Sequence, residues 1–155
     1  MNKKRVLILL ISFVTLFIIA LTGCIVTGSV EIKVYGEGFV ANIDSFSGSS
    51  KPHRVLFKNN SGEKITVKYS ITESNDSSGY DKTSEPNWTT VTQNITVNAD
   101  ATGDIVTNLG SSSNNYACVW MRVQDQENKK YVIFSVFLSK ADNMEYDVTI
   151  KSGNK

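Results

Sequence analysis

The fold is decided by Tyr116-Ala117-Cys118-Val119-Trp120-Met121-Arg122-Val123 and by Tyr131-Val132-Ile133-Phe134-Ser135-Val136-Phe137-Leu138. In both stretches the even and the odd positions are largely apolar, which is typical of a strand that is covered on both faces. The residues between them, 124–129, are all polar and suit a turn. We therefore predict two central β-strands, joined by a turn, at the core of the fold.

Half-buried strands surround this pair. Ile65, Val67, Tyr69 and Ile71 alternate with polar residues, and so do Met144, Tyr146, Val148 and Ile150. Such alternation predicts strands with one wet face. Shorter strands are expected around residues 30–34, 39–43, 55–57, 88–91, 95–97 and 105–109, with a long solvated loop over residues 73–87. The whole pattern predicts an all-β antiparallel sandwich of about eight or nine strands.

The N-terminus has the pattern of an export signal. Met1-Asn2-Lys3-Lys4-Arg5 is basic, residues 6–22 are apolar or small hydroxyl residues, and the segment ends on Leu21-Thr22-Gly23-Cys24. This ending resembles the lipobox of bacterial lipoproteins. The resemblance implies that Cys24 is lipidated, with palmitate among its acyl chains, and that residues 1–23 are removed as a signal helix. The alternative is an uncleaved membrane span, since the apolar run approaches the ~20 residues that a spanning helix needs.

The lipobox divides the chain into three parts. Residues 1–23 are the signal peptide, residues 24–28 are a lipidated N-terminus with a short tether, and residues 29–155 are a single β-sandwich domain. The implied location is extracytoplasmic, in the cell envelope, with a lipid anchor in the outer membrane or at the cell surface.

The composition of the mature chain argues against nucleic acid as a partner. Loss of Lys3, Lys4 and Arg5 reduces the 16 basic residues to 13 against 15 acidic ones, a net charge of −2. Nucleic-acid binding needs a clustered basic face. Cys24 and Cys118 are the only cysteines. With Cys24 lipidated, no internal disulfide can form, and we expect Cys118 to be a buried small hydrophobe.

A second resemblance covers residues 109–123. Tyr116-Ala117-Cys118 resembles the Y-x-C of an immunoglobulin F strand, and Leu109 with Tyr116 and Arg122-Val123 resembles the E-to-F region of fibronectin type III modules. This resemblance implies an immunoglobulin-like or related sandwich. It also implies that Tyr116 is a tyrosine-corner residue whose hydroxyl bonds to nearby backbone.

Catalytic and metal-binding patterns are missing from the sequence. His53 is the only histidine, and we expect it to be a solvated loop residue. A metal site of the Cys/His type needs more cysteine and histidine ligands than this sequence contains. Asp100 and Asp104 around a glycine turn could supply calcium ligands, but a plain turn is favoured because the alternating pattern of a calcium loop is missing. We expect a non-enzymatic protein that needs no cofactor.

Aromatic side chains give the best signal for binding. Tyr80 lies in the long loop and Trp88 stands at its exit, so both are candidate partner-binding residues. Burial at the edge of the sandwich is the alternative for Trp88. For Trp120, burial between the two sheets or under a loop is favoured over exposure. The leading functional prediction is an envelope lipoprotein that binds a protein or glycan partner. The alternatives are a structural subunit of an envelope complex and an enzyme accessory domain.

Overall fold

The computed structural model describes residues 34–76 and 84–153. The described strands are β1 (Val34–Glu37), β2 (Phe39–Phe46), β3 (Arg54–Asn60), β4 (Ile65–Ser74), β5 (Asn94–Val97), β6 (Thr102–Val106), β7 (Tyr116–Gln124), β8 (Tyr131–Ser139) and β9 (Glu145–Ser152). They form two sheets packed face to face, which confirms the predicted all-β sandwich. The signal segment, Cys24 and Tyr80 lie outside the described residues.

The two sheets differ in their pairing. A five-stranded sheet has the order β1-β8-β7-β4-β5, with antiparallel neighbours throughout. A four-stranded sheet has the order β2-β9-β3-β6, and its β3–β9 pair is parallel. This parallel pair was not predicted from the sequence. Turn signals predict hairpins between consecutive strands, whereas β3 and β9 lie far apart in the chain.

β7 and β8 are the predicted central strands, and their prediction is confirmed. They pair with each other along their whole length. On β7, alternate residues from Ala117 to Val123 face the core between the sheets, where they meet buried residues such as Phe57 and Phe134. The opposite residues of β7 are also largely buried. Both faces of this strand are therefore covered, as the continuous apolar pattern requires.

Two buried polar side chains tie the sandwich together. The Tyr146 hydroxyl on β9 donates to the backbone carbonyl of Phe137 on β8 at 2.8 Å and so links the two sheets. The Asn59 amide, which is fully buried, donates to the carbonyls of Glu63, Val97 and Asn98 at 2.8–3.1 Å. A buried polar group is tolerated when its hydrogen bonds are made. Asn59 thereby holds the turn after β3 against the end of β5.

The predicted strand at residues 88–91 is wrong, because this segment is a turn. Asn87 Oδ1 accepts hydrogen bonds from Thr89 N at 3.1 Å and from Thr89 Oγ1 at 2.8 Å, and Thr90 N donates to the Asn87 carbonyl at 3.0 Å. An asparagine side chain that bonds to the backbone two residues later favours a turn over a strand.

His53 is buried, so the expectation of a solvated histidine is wrong. Its backbone has a φ of 65°, its N–H donates to the Met144 carbonyl at 2.6 Å, and its carbonyl accepts from Thr107 N and Oγ1. These bonds fix the loop before β3 against the segments beside β9 and β6. The side chain is buried as a consequence.

Candidate functional site

The candidate site lies on the outer face of the five-stranded sheet, the face turned away from the four-stranded sheet. Four buried residues form a second apolar cluster there: Trp88, Cys118, Trp120 and Ile133. Residues 84–93, here called the cap segment, supply Trp88 and the partly buried Val91. Trp120 is thus buried under a loop, which was one of the two alternatives that the sequence left open.

Trp88 is the centre of the cap segment. Its side chain is 9% exposed, and its indole N–H donates to Glu85 Oε1 at 2.5 Å. Its carbonyl accepts a hydrogen bond from Lys68 Nζ on β4 at 3.5 Å. The ring therefore contributes buried area on this face, and its role as a partner-binding anchor stays a prediction. Tyr80, the other predicted anchor, lies outside the described residues.

Cys118 and Tyr116 point to this outer face. Cys118 is buried as expected, but it packs in the second cluster and not between the sheets, where an immunoglobulin F-strand cysteine lies. The Tyr116 ring stacks on Phe137 with centroids 5.4 Å apart. The buried hydroxyl-to-backbone bond expected of Tyr116 is made by Tyr146.

Strand register brings two cations together next to the cap segment. Lys68 on β4 lies directly opposite Arg122 on β7, and Arg122 lies opposite Ile133 on β8, which in turn lies opposite Tyr35 on β1. Like charges directly opposite each other on one sheet face are destabilising. The arrangement therefore carries an electrostatic cost.

Arg122 has an unusual environment. Its guanidinium carbon lies 4.9 Å from the centre of the Tyr131 ring, a cation–π contact. Its Nε is buried and, among the described residues, has no hydrogen-bond partner. No carboxylate of residues 34–76 or 84–153 forms an ion pair with Arg122 or Lys68. We call Tyr35, Lys68, Arg122 and Tyr131 the Arg122 patch.

Arg54, on the outer face of the four-stranded sheet, shows the opposite arrangement. Its Nε and Nη2 both donate to Glu145 Oε1 at 3.0 Å, and its Nη1 lies 3.8 Å from Asp104 Oδ2. A hydrogen bond from the Ser49 hydroxyl, followed by the hydrogen bond and charge of Arg54, holds the pKa of Glu145 below its ordinary value, against the opposing effect of burial. Through Glu145 and Asp104, Arg54 links β3 to β9 and to β6.

The calcium alternative gains no further support. Asp100 lies in a turn with a φ of 57° and donates its backbone N–H to the Asn59 carbonyl, while the Asp104 carboxylate faces Arg54. Within residues 34–76 and 84–153, no three His, Cys, Asp or Glu side chains are grouped so that they could hold a metal ion.

A charged groove of about 600 Å³ opens at one end of the sandwich. Two of its cations are paired, because Lys130 Nζ lies 2.6 Å from Glu63 and Lys129 Nζ lies 2.6 Å from Glu127. The hydrogen bond to Glu63 raises the pKa of Lys130. Because these charges already have partners on the chain, the groove offers less to a charged ligand than the Arg122 patch does.

Comparison with known proteins does not identify the chain. No family model, no characterised protein and no solved structure matches it. In the part of the chain that the structure describes, no helix has the length and apolar character to span a membrane.

The Arg122 patch was not predicted as a unit. The alternation at residues 64–71 predicts that Lys68 lies on a solvent-exposed face, and Arg122 entered only through the resemblance at residues 109–123. The register that sets β4 against β7 is not visible in the sequence. A search for cations at wet positions of neighbouring predicted strands is the signal that could have found the pair.

Proposed function

We propose that this chain is a membrane-anchored, extracytoplasmic bacterial lipoprotein whose β-sandwich binds a protein or glycan partner without catalysing a reaction. The N-terminal residues 1–24 support the anchor, through the basic start, the apolar run and the lipobox-like ending at Cys24. The single observation that supports binding is the Arg122 patch, because its two cations have no carboxylate partner in the described residues.

The anchor is tested by labelling the full chain with a fatty-acid analogue in a bacterial host. We expect label on the native chain and on Cys118→Ala, and no label on Cys24→Ala, which should accumulate at precursor size. A Cys24→Ala protein that is still labelled and processed contradicts the lipoprotein proposal.

Partner binding is tested by capture from envelope extracts with the full chain in detergent micelles. Each extract is used untreated, protease-treated or periodate-treated, so that loss of capture assigns the partner to protein or to glycan. Native chain and Arg54→Gln should capture the same partner, and Arg122→Gln should capture much less. Equal capture by both variants would place the binding surface elsewhere.

A structural subunit is the second proposal, and the edge strand β1 favours it. Val34 is 45% exposed and Tyr35 is 44% exposed, and edge strands present unpaired backbone groups to other chains. Substituting a proline for Val34 should then abolish assembly, as followed by the sedimentation of the full chain in micelles. A monomeric native chain contradicts self-assembly.

A further inference from the structure

We propose that the Arg122 patch binds a glycan that carries carboxylate groups, such as an oligosaccharide of uronic acids. In this assignment Arg122 and Lys68 hold a carboxylate, and Tyr35 stacks on a neighbouring sugar ring. The inference rests on the proposed function, since it names the ligand class of the same binding module.

The opposed charges of Lys68 and Arg122 favour an anionic ligand. Lys68 and Arg122 are directly opposed in register, and both are half-buried. A carboxylate placed between them would remove the repulsion between two cations. It would also supply the carboxylate partner that the Arg122 guanidinium does not have among the described residues. The planar guanidinium can bind a carboxylate through two parallel hydrogen bonds.

The Tyr131 ring positions the guanidinium for this task. The guanidinium carbon of Arg122 lies 4.9 Å from the ring centre, so the aromatic contact restrains the position of the guanidinium. Its N–H donors lie in the guanidinium plane, where a carboxylate can bind them. A side chain fixed in this way loses less conformational freedom on binding than a mobile one.

The aromatic and polar neighbours favour a sugar ligand. Tyr35 is 44% exposed and lies in the same row of residues as Arg122, two strands away. At the usual spacing between strands the two residues are roughly 10 Å apart, which a short oligosaccharide can span. Asn94, which is exposed, extends the row, so an amide group is available for sugar hydroxyls. A protein anchor would instead need an apolar pocket, and the apolar cluster beside the patch is already filled by Trp88.

The experiment uses the full chain in detergent micelles and titrates it with uronic-acid hexasaccharides. The probes are the hexamers of galacturonate and mannuronate and the hexasaccharide of hyaluronan. Each is matched by its own methyl ester, which keeps the sugars and removes the charge. Poly-L-glutamate serves as an acidic peptide without sugar rings.

We expect at least one acidic hexasaccharide to bind, and its methyl ester to bind about tenfold more weakly or worse, because hydrogen bonds to charged groups and the attraction of the cations are lost. Affinity should fall as salt is raised. Arg122→Gln should lose about tenfold or more, Arg122→Lys should lose less, and Lys68→Gln should also weaken binding. Arg54→Gln is the matched control and should bind as the native chain does.

Several results would overturn the inference. The first is that no acidic hexasaccharide binds, and the second is that acid and ester bind with equal affinity. The third is that polyglutamate binds tightly while the sugars do not bind. The fourth is that a folded Arg122→Gln variant binds with unchanged affinity. In each case the proposed function fails only if the separate capture experiment also yields no partner.

Discussion

Arg54 and Arg122 occupy comparable places on the two sheets and have opposite surroundings. Both lie on an outer face, but Arg54 donates to Glu145 from two of its nitrogens and faces Asp104, whereas Arg122 lies opposite Lys68 and has a buried Nε without a described partner. The difference separates an arginine whose charge is paired within the fold from one that has no carboxylate partner among the described residues.

The outer faces differ in their apolar cover as well. The five-stranded sheet is covered by the cap segment and its Trp88, while the four-stranded sheet exposes Phe46 and Val106 at the two ends of the row that contains Arg54. The Arg122 patch therefore lies beside an ordered apolar cluster that fixes its surroundings. A charge held in fixed surroundings binds with less loss of freedom.

The largest expected effect on stability comes from removing the Trp88 ring of the cap segment. Trp88→Ala deletes a buried ring and should lower the free energy of unfolding by about 3–5 kcal/mol. It should also uncover Cys118, so that a bulky thiol reagent reacts much faster with the folded protein in a Cys24→Ala background. Trp88→Phe, which keeps a ring, is the control. If Trp88→Ala keeps native stability and slow labelling, the cap segment does not protect this face.

The two arginines should differ in their effect on stability. Arg54→Gln should cost about 1.5–3 kcal/mol, because hydrogen bonds between charged groups are lost at side chains that are 19% and 13% exposed. Arg122→Gln should change stability by less than about 0.5 kcal/mol, since loss of the Tyr131 contact and relief from Lys68 oppose each other. Urea unfolding measures both. Equal losses would mean that Arg122 is a structural residue too.

The smallest expected effect concerns the pH dependence of the ion pair between Arg54 and Glu145. Because the pKa of Glu145 is lower in the folded chain than its ordinary value of 4.5, the ion pair contributes its full stability above that pH. The contribution is lost as the pH falls through the folded pKa. Glu145→Gln should remove this part of the acid destabilisation. Ser49→Ala should reduce it, since the Ser49 hydrogen bond is its largest cause. A native acid-unfolding profile in both variants contradicts this assignment.

The sequence predicted the architecture from features that are local. Residues 116–123 and 131–138 are apolar on both faces, and this alone indicates central strands. The parallel β3–β9 pair could not be predicted in this way, because no turn connects its strands. At residues 88–91 the β-branched pattern was overridden by the Asn87 side chain, which stabilises a turn.

The candidate site was harder to predict because it depends on pairing between strands. Trp88 and Trp120 stood out as large rings, and both are buried in the second cluster. Lys68 and Arg122 looked like ordinary wet-face residues until the β4–β7 register set them opposite each other. A one-residue slip of that register would turn every side chain of the strand to the other face.

The most direct test of the comparison is the NMR signal of the arginine Nε–H groups in the full chain, labelled with ¹⁵N-arginine in micelles and titrated with the uronic-acid hexasaccharide that binds. Arg54 and Arg122 are the arginines of the described residues, and Arg122→Gln and Arg54→Gln assign their signals. We predict that the Arg122 Nε–H signal shifts progressively as a carboxylate binds the guanidinium, while the Arg54 signal stays in place. A shift of the Arg54 signal, or a stationary Arg122 signal at saturation, contradicts the account.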